Sequence, residues 1–362
     1  MRSDENSSSL TDTMPIIYAG SLYNRGGTGV YTRRLLEGLA DAEARVAALA
    51  GGLVMSPKEA LERGISESSG IRTAREYLKN PALLRKLQPS LVHLPSFSGR
   101  VPGNIPCVVT LHDLAFARKP AWFPFFKSIY YRLHFSRVAR KADAVMVDSD
   151  FTGSEARELL GIPPGRIRRV YLSTSSFDSD PAPFIRRWSL EGKYLLFAGT
   201  VEPRKNIEAL LDAWERIRNR AGGMTLVIAG RWGWGSEELL RRLRSTEGVL
   251  YTGALSDPLL RSCISGAELM VYPSFYEGFG LPPLEAASAG VPSVISPAEA
   301  LTEIYGDAAT VARGFDGESL EEAILDALET HLSPWELMDF AADFSIGRMT
   351  SQVLKVYGEY SK

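Results

Sequence analysis

The segment LMVYPSFYEGFGLPPLEAASAG, residues 269–290, reads as a β-strand, a glycine-rich turn and a helix in direct succession. Its first four residues are an apolar run with no turn former, as in a strand buried on both faces. Gly278 and Gly280 then break the pattern. Pro282 and Pro283 fit the first turn of a helix, where a missing N–H costs nothing. The turn offers the N–H groups of Gly278, Phe279, Gly280 and Leu281 to an anion at the helix N-terminus. Two carboxylates bracket it, Glu277 before the turn and Glu285 in what reads as the first helical turn. The structural alternative is a helix capped by Glu285, with Glu277 in solvent.

The same strand-to-helix unit recurs on either side. Strands are expected at 194–198, 225–229, 250–252 and 293–295, and helices at 207–220, 237–244, 258–264, 283–289 and 318–329. In the first half, strands are expected at 15–19, 91–94, 107–111 and 144–148. Such alternation implies an α/β fold with parallel sheets covered by helices on both faces. A polar, Pro-containing stretch near 173–187 divides the chain. The expected organisation is two doubly wound, Rossmann-like domains facing a cleft. A polar tail spans 1–13, the first domain 14–178 and the second 179–344. A helix over about 345–362 crosses back to the first domain. Ligands of open α/β sheets bind at the carboxyl ends of the strands.

Composition narrows the function classes. Of 362 residues, 45% are hydrophobic and 23% charged, and mean hydropathy is −0.07. No apolar run approaches the ~20 residues that span a bilayer. Two distant cysteines, Cys107 and Cys263, argue against a disulfide framework and for a reducing, cytoplasmic setting. The four histidines, at 93, 112, 134 and 331, lack metal-ligand spacing. Residues 1–180 carry 24 Lys and Arg against 18 Asp and Glu; residues 181–362 carry 17 against 25. The basic first half could face an anionic membrane or acceptor, or simply be made of solvated helix faces. No feature calls for nucleic acid.

Three further motifs end strands. Gly26-Gly27-Thr28-Gly29 precedes a helix expected to start near Val30 and admits a ligand close to its backbone. It lacks the spacing of the dinucleotide fingerprint, which disfavours a nicotinamide dehydrogenase. Thr110-Leu111-His112-Asp113-Leu114 puts His112 at a strand's carboxyl end, where its ring could donate to a sugar hydroxyl or its backbone carbonyl face a reacting centre. Gly199-Thr200-Val201-Glu202-Pro203-Arg204-Lys205-Asn206 places two cations where a diphosphate would meet a helix N-terminus.

These four segments, in this order, resemble the retaining GT-B glycosyltransferases of family 4. The likeness covers about residues 14–345. It implies that Glu277 binds hydroxyls of a donor sugar, with backbone contacts to that sugar from Gly278, Phe279 and Gly280 and one to phosphate from Leu281. Glu285 would hold the ribose, Arg204 and Lys205 the diphosphate, and Gly199 would lie in the same donor loop. His112 would touch the sugar from the first domain, and Gly27 would lie near acceptor and phosphate. The base would rest on the loop 253–257, around Leu255, mainly through backbone. Glu303, a frequent acid of this family at a helix start, would be structural or supporting.

The expected activity is a hexosyltransferase, with no cofactor beyond its nucleotide-sugar substrate. Gly199-Thr200 stands where many relatives have Gly-Arg, which removes one phosphate cation. That variant, and the segment Val227–Trp234, are similar to bacterial mannosyltransferases, so the expected donor is GDP-mannose. The acceptor would be a saccharide or a lipid-linked one. The chain is read as having no Asp-x-Asp triplet of the kind that holds a metal-bound diphosphate, so metal independence is expected. The stretch 120–132, aromatic and basic, fits a peripheral contact at the inner face of a membrane; a helix packed on its own domain is the plainer reading. Rival functions are a UDP-sugar transferase, an epimerase or hydrolase of the same fold, and a non-catalytic nucleotide-sugar-binding partner.

Overall fold

The computed structural model describes residues 14–24, 26–63, 79–96, 99–100, 103–175, 179–220 and 223–361. The expected tail over 1–13 lies outside them. The chain divides into two units, Met1–Ser173 with Phe344–Lys362, and Thr174–Asp343. The division falls at the start of the polar stretch at 173–187. The last helix belongs with the first unit.

The first unit carries a seven-stranded sheet in the order β3-β2-β1-β4-β5-β6-β7. Its strands are β1 (Pro15–Tyr18), β2 (Ala47–Ala50), β3 (Leu53–Met55), β4 (Leu91–Leu94), β5 (Cys107–Leu111), β6 (Ala144–Val147) and β7 (Ile167–Arg169). All pairings are parallel except β2 with β3. Every residue of β4, β5 and β6 is buried, as in a sheet covered on both faces. The second unit carries a wholly parallel six-stranded sheet, β10-β9-β8-β11-β12-β13. These strands are β8 (Tyr194–Ala198), β9 (Thr225–Ala229), β10 (Val249–Gly253), β11 (Leu269–Tyr272), β12 (Ser293–Ile295) and β13 (Thr310–Val311).

Four strands escape a reading by apolar pattern. β2 is Ala-Ala-Leu-Ala, poor in β-formers, and β3, β7 and β13 are two or three residues long. Their neighbours in the sheet, not their composition, make them strands.

Six helices matter for the sites: α1 (Gly27–Asp41), α2 (Phe125–Lys141), α3 (Asp150–Leu160), α4 (Ile207–Ile217), α5 (Leu281–Ser288) and α6 (Ile346–Tyr360). α1 begins at Gly27 rather than near Val30, so Gly27 is a helical residue and Gly26 the extended cap. Gly29 is the glycine that the packing requires, because a Cβ there would lie 1.9 Å from the Asn24 carbonyl oxygen. In α6 the buried residues Met349, Val353, Val356 and Tyr357 repeat at helical spacing. This stripe packs against α1. Each fully buried aliphatic contributes on the order of 2 kcal/mol, enough to hold a terminal helix in place.

Candidate functional site

In the second unit the chemistry gathers where β8 and β11 end. Residues 203–205 form a short 3₁₀ turn after β8, and Asn206 closes it in the left-handed conformation at φ 56°. The Asn206 amide donates to the Pro273 carbonyl at 3.2 Å and to the Phe315 carbonyl at 2.7 Å, and the Phe275 N–H donates to the Arg204 carbonyl at 2.8 Å. The loop after β8 is thereby bonded to the loop after β11.

That joint brings Glu277 onto both cations. Its carboxylate accepts from Lys205 Nζ through Oε1, and from Arg204 Nη1 through Oε2 at 3.0 Å. Lys205 also donates to the Tyr272 hydroxyl at 2.7 Å. Arg204 is held from its other side by Glu202, through Nε, and donates to the Tyr276 carbonyl at 3.2 Å. Glu202, Lys205 and Glu277 are all buried. The cluster therefore holds two cations and two carboxylates that sum to zero.

Burial pushes the Glu277 carboxyl up, but Arg204 and Lys205 outweigh it and hold the group down at about 2. Lys205 is lowered, first by burial and then by Arg204, with Glu277 pulling the other way. The carboxylate is the better secured of the two, because it has two cations while Lys205 shares its anion with Arg204.

Glu277 leads into the turn Gly278–Gly280, and Gly280 is the N-cap of α5 with φ +87°. A side chain there would be strained, and its Cβ would meet Leu301 Cδ2 at 2.6 Å. The Gly280 carbonyl accepts from the Tyr305 hydroxyl at 2.7 Å, and Phe279 is buried edge-on to Tyr305. No side chain caps α5, whose N-terminus follows directly on the loop that carries Glu277. Leu281 is the first residue of α5 and half-buried. Glu285 is half-buried and lies in the second turn of α5, a correction to its expected first-turn place, since the helix begins before the prolines. Gly199 follows β8, with its N–H on the Ala229 carbonyl at 2.9 Å. Leu255 packs its side chain on the unit's core between β10 and the helix Asp257–Ser265. Glu303 is exposed and sits late in the helix Glu299–Tyr305, not at its start.

In the first unit, Gly27 is exposed at the start of α1. His112 follows β5, and its ring is fully engaged. Nδ1 meets Asp148 Oδ2 at 2.7 Å and Nε2 meets the Pro95 carbonyl at 3.0 Å. Both partners are acceptors, so the arrangement favours an imidazolium with two N–H groups. Burial opposes that charge, yet Asp148, Pro95 and Asp113 together raise the His112 pKa above its usual value. With both nitrogens occupied, the ring has no N–H left for a sugar hydroxyl in this arrangement. Of the two roles open to His112, the backbone carbonyl is the one left free of this pairing.

Behind His112 runs a buried polar chain. Tyr31 lies edge-on to the His112 ring at 4.8 Å, and its hydroxyl meets Thr110 Oγ1 at 3.1 Å. Thr110 Oγ1 meets His93 Nε2 at 2.8 Å, and His93 Nδ1 meets the Tyr357 hydroxyl at 2.7 Å. Burial lowers His93 to about 3, so its ring is neutral, donating through one nitrogen and accepting through the other.

Sequence reasoning missed Asp148 and Glu202 as partners. The signal for Asp148 was present: Leu111 pairs with Val147 across β5 and β6, so the next residues, His112 and Asp148, emerge side by side. The chain also contains two Asp-x-Asp triplets, at 148–150 and 178–180, contrary to the premise behind the expected metal independence. Asp148 is committed to His112, and Asp150 pairs with Arg169 at 3.0 Å. Residue 178 lies outside the described residues. Among the described residues no group of three or more His, Cys, Asp or Glu is placed to hold a metal.

Known proteins agree with this architecture. The model described as Glycosyl transferases group 1 matches residues 192–330, and that described as Glycosyltransferase Family 4 matches residues 25–173. The O-antigen chain mannosyltransferase B of Escherichia coli is 32% identical over 289 residues, 76% of this chain and 75% of the relative. The chain belongs to the family 4 glycosyltransferases. A glycogen synthase of Mycobacterium tuberculosis is 30% identical over 230 residues, covering 60% of this chain and 55% of that enzyme. Among solved structures, the HepE protein of Anabaena, in complex with UDP and glucose, superposes with a TM-score of 0.72 at 17% identity, over 96% of this glycosyltransferase and all of HepE. The fold is thus GT-B, with two parallel-sheet, Rossmann-like domains. Among the described residues no helix is long and apolar enough to cross a membrane.

Proposed function

We propose that this glycosyltransferase moves mannose from GDP-mannose to a hydroxyl of a saccharide or lipid-linked acceptor, with retention of the α configuration and without a metal. It would act in the cytoplasm, with its first unit in peripheral contact with a membrane. The observation that carries the reading is the buried Arg204–Glu277–Lys205 cluster beside the uncapped start of α5. In this reading Glu277 holds hydroxyls of the transferred sugar, and Arg204, Lys205 and the Leu281 N–H at the start of α5 take up the charge of the departing diphosphate. The anomeric C–O bond to the diphosphate breaks as the acceptor oxygen bonds to the same face of that carbon. The acceptor's proton passes to the leaving phosphate oxygen, so no side-chain base is needed. Fixed cations and amides supply the electrostatic stabilisation that a metal supplies elsewhere.

The mannose assignment draws on the O-antigen relative and on the segment Gly199–Asn206. A second reading, a UDP-glucose donor, is favoured by the ligands of HepE. Thermal unfolding with GDP, GDP-mannose, UDP and UDP-glucose separates the two. A ligand at 100 times its Kd stabilises by about 2.7 kcal/mol, a readily measured shift in Tm. The larger shift is expected with the guanosine nucleotides, and mannosyl transfer to an acceptor is expected in excess EDTA. Larger shifts with uridine nucleotides would reassign the donor. Donor conversion without acceptor would point to an epimerase or hydrolase, and binding without turnover to a non-catalytic partner.

A further inference from the structure

α2 is the helix on which the aromatic, basic stretch of the sequence folds, and it has two unlike faces. The inward face packs Tyr131, Phe135, Val138 and Ala139 on the core of the first unit, with Phe135 against Phe116 at 5.4 Å and Tyr131 at 4.5 Å. The outward face exposes Phe125, Phe126, Ile129, Tyr130 and Leu133, with Phe126 85% and Leu133 67% accessible. At 100° per residue those five lie within one arc of about 140°, opposite the packed face. Arg137 continues that arc towards the end of the helix and Arg132 flanks it; both are exposed. From residue 115 to residue 141 the chain has seven Lys and Arg and no Asp or Glu. Arg118, before α2, pairs with Glu155 and Glu158.

We propose that the outward face of α2 is the surface through which this enzyme lies on an anionic lipid bilayer, an inference that rests on the peripheral membrane contact proposed above. An apolar stripe flanked by cations, on a helix too polar to span, is the pattern that seats in the headgroup boundary. Charge selects the occupant. The exposed Arg132 and Arg137 beside the stripe complement anionic phospholipid, and each Lys or Arg near such a surface strengthens binding about fivefold. A second copy is the competing occupant, because Leu332, Trp335 and Met338 are also exposed and lie among the acids Glu336 and Asp339.

The test is co-sedimentation of the full chain with phosphatidylcholine vesicles, with and without phosphatidylglycerol. Binding is expected only with phosphatidylglycerol. The double variant Phe126→Ser/Leu133→Ser is expected to lose at least about tenfold in partitioning, and Arg132→Gln/Arg137→Gln about twentyfold. All four side chains are exposed, so thermal unfolding followed by circular dichroism should be unchanged. If the enzyme binds the vesicles and both double variants bind equally well, the membrane contact stands but α2 is not its surface. If the enzyme ignores every vesicle, the membrane contact itself fails and this assignment with it. Self-association in solution that Phe126→Ser/Leu133→Ser abolishes, without vesicle binding, would give the face to a second copy.

Discussion

The two units place their polar machinery at equivalent positions, just beyond the carboxyl ends of parallel strands, but build it differently. In the second unit, adjacent residues of one loop, Glu202, Arg204 and Lys205, meet a carboxylate from a neighbouring loop, and the charges cancel locally. In the first unit, a single His112–Asp148 pair is backed by a chain of hydroxyls and a neutral histidine that reaches α6. One site is a compact set of balanced ions ready to exchange partners. The other is one fixed ion pair seated on the packing of the whole unit. The contrast suits an ionic ligand in the second unit and a positioning role in the first.

The largest expected effect comes from unbalancing the ionic cluster. Glu277→Gln is expected to lower kcat by roughly 10²-fold, since a charged hydrogen bond to the transferred sugar is worth about 2–3 kcal/mol. The same change releases Arg204 and Lys205, so GDP binding measured by calorimetry should hold or tighten; Glu285→Gln should weaken GDP instead. The pH dependence follows from a carboxyl lowered from 4.5 to about 2. Its stabilisation is fully present above pH 4.5 and lost as pH falls towards 2, a total of about 3 kcal/mol. Urea unfolding should therefore separate the enzyme from Glu277→Gln at pH 7 and bring them together near pH 2. Loss of GDP affinity in Glu277→Gln matching that of Glu285→Gln would break the contrast drawn here.

A smaller effect is expected at His112. Asp148→Asn keeps an acceptor oxygen but removes the charge, so the His112 pKa, read by NMR, should fall from above 6.5 in the enzyme. A raised histidine stabilises fully below its unfolded pKa and loses that contribution as pH rises through its folded value. The destabilisation by Asp148→Asn should thus be larger at pH 6 than at pH 9, and amount to about 2 kcal/mol. An unmoved His112 titration would show that Pro95, Asp113 and the surroundings set its charge without Asp148.

The smallest effect sharpens the difference in extent. Tyr357→Phe leaves a buried His93 nitrogen without its partner and should cost about 1 kcal/mol. Hydrogen exchange should show the loss in β4 and β5 of the first unit, with β8 and β11 of the second unaffected. Equal loosening of both sheets would contradict the separate organisation of the two units.

Much of this enzyme was readable in one dimension. Apolar runs of four or five residues ending in glycine, histidine or proline marked the central strands, because a buried parallel strand needs an unbroken apolar run and a ligand-facing loop needs special backbone. Glu277, Arg204 and Lys205 were legible because each sits in a short motif whose residues are contiguous. Tertiary structure decided the rest. It made strands of Ala-Ala-Leu-Ala and of the two-residue β13, since a sheet edge recruits whatever backbone lies beside it. It tied Glu202 to Arg204, turned both nitrogens of His112 onto acceptors, and carried Tyr357 to His93 across 264 residues of chain. It also split one aromatic stretch into a packed face and an exposed one. Composition records which side chains are present, whereas a partner from a distant strand or helix, and the choice between core and solvent, exist only once the chain has packed.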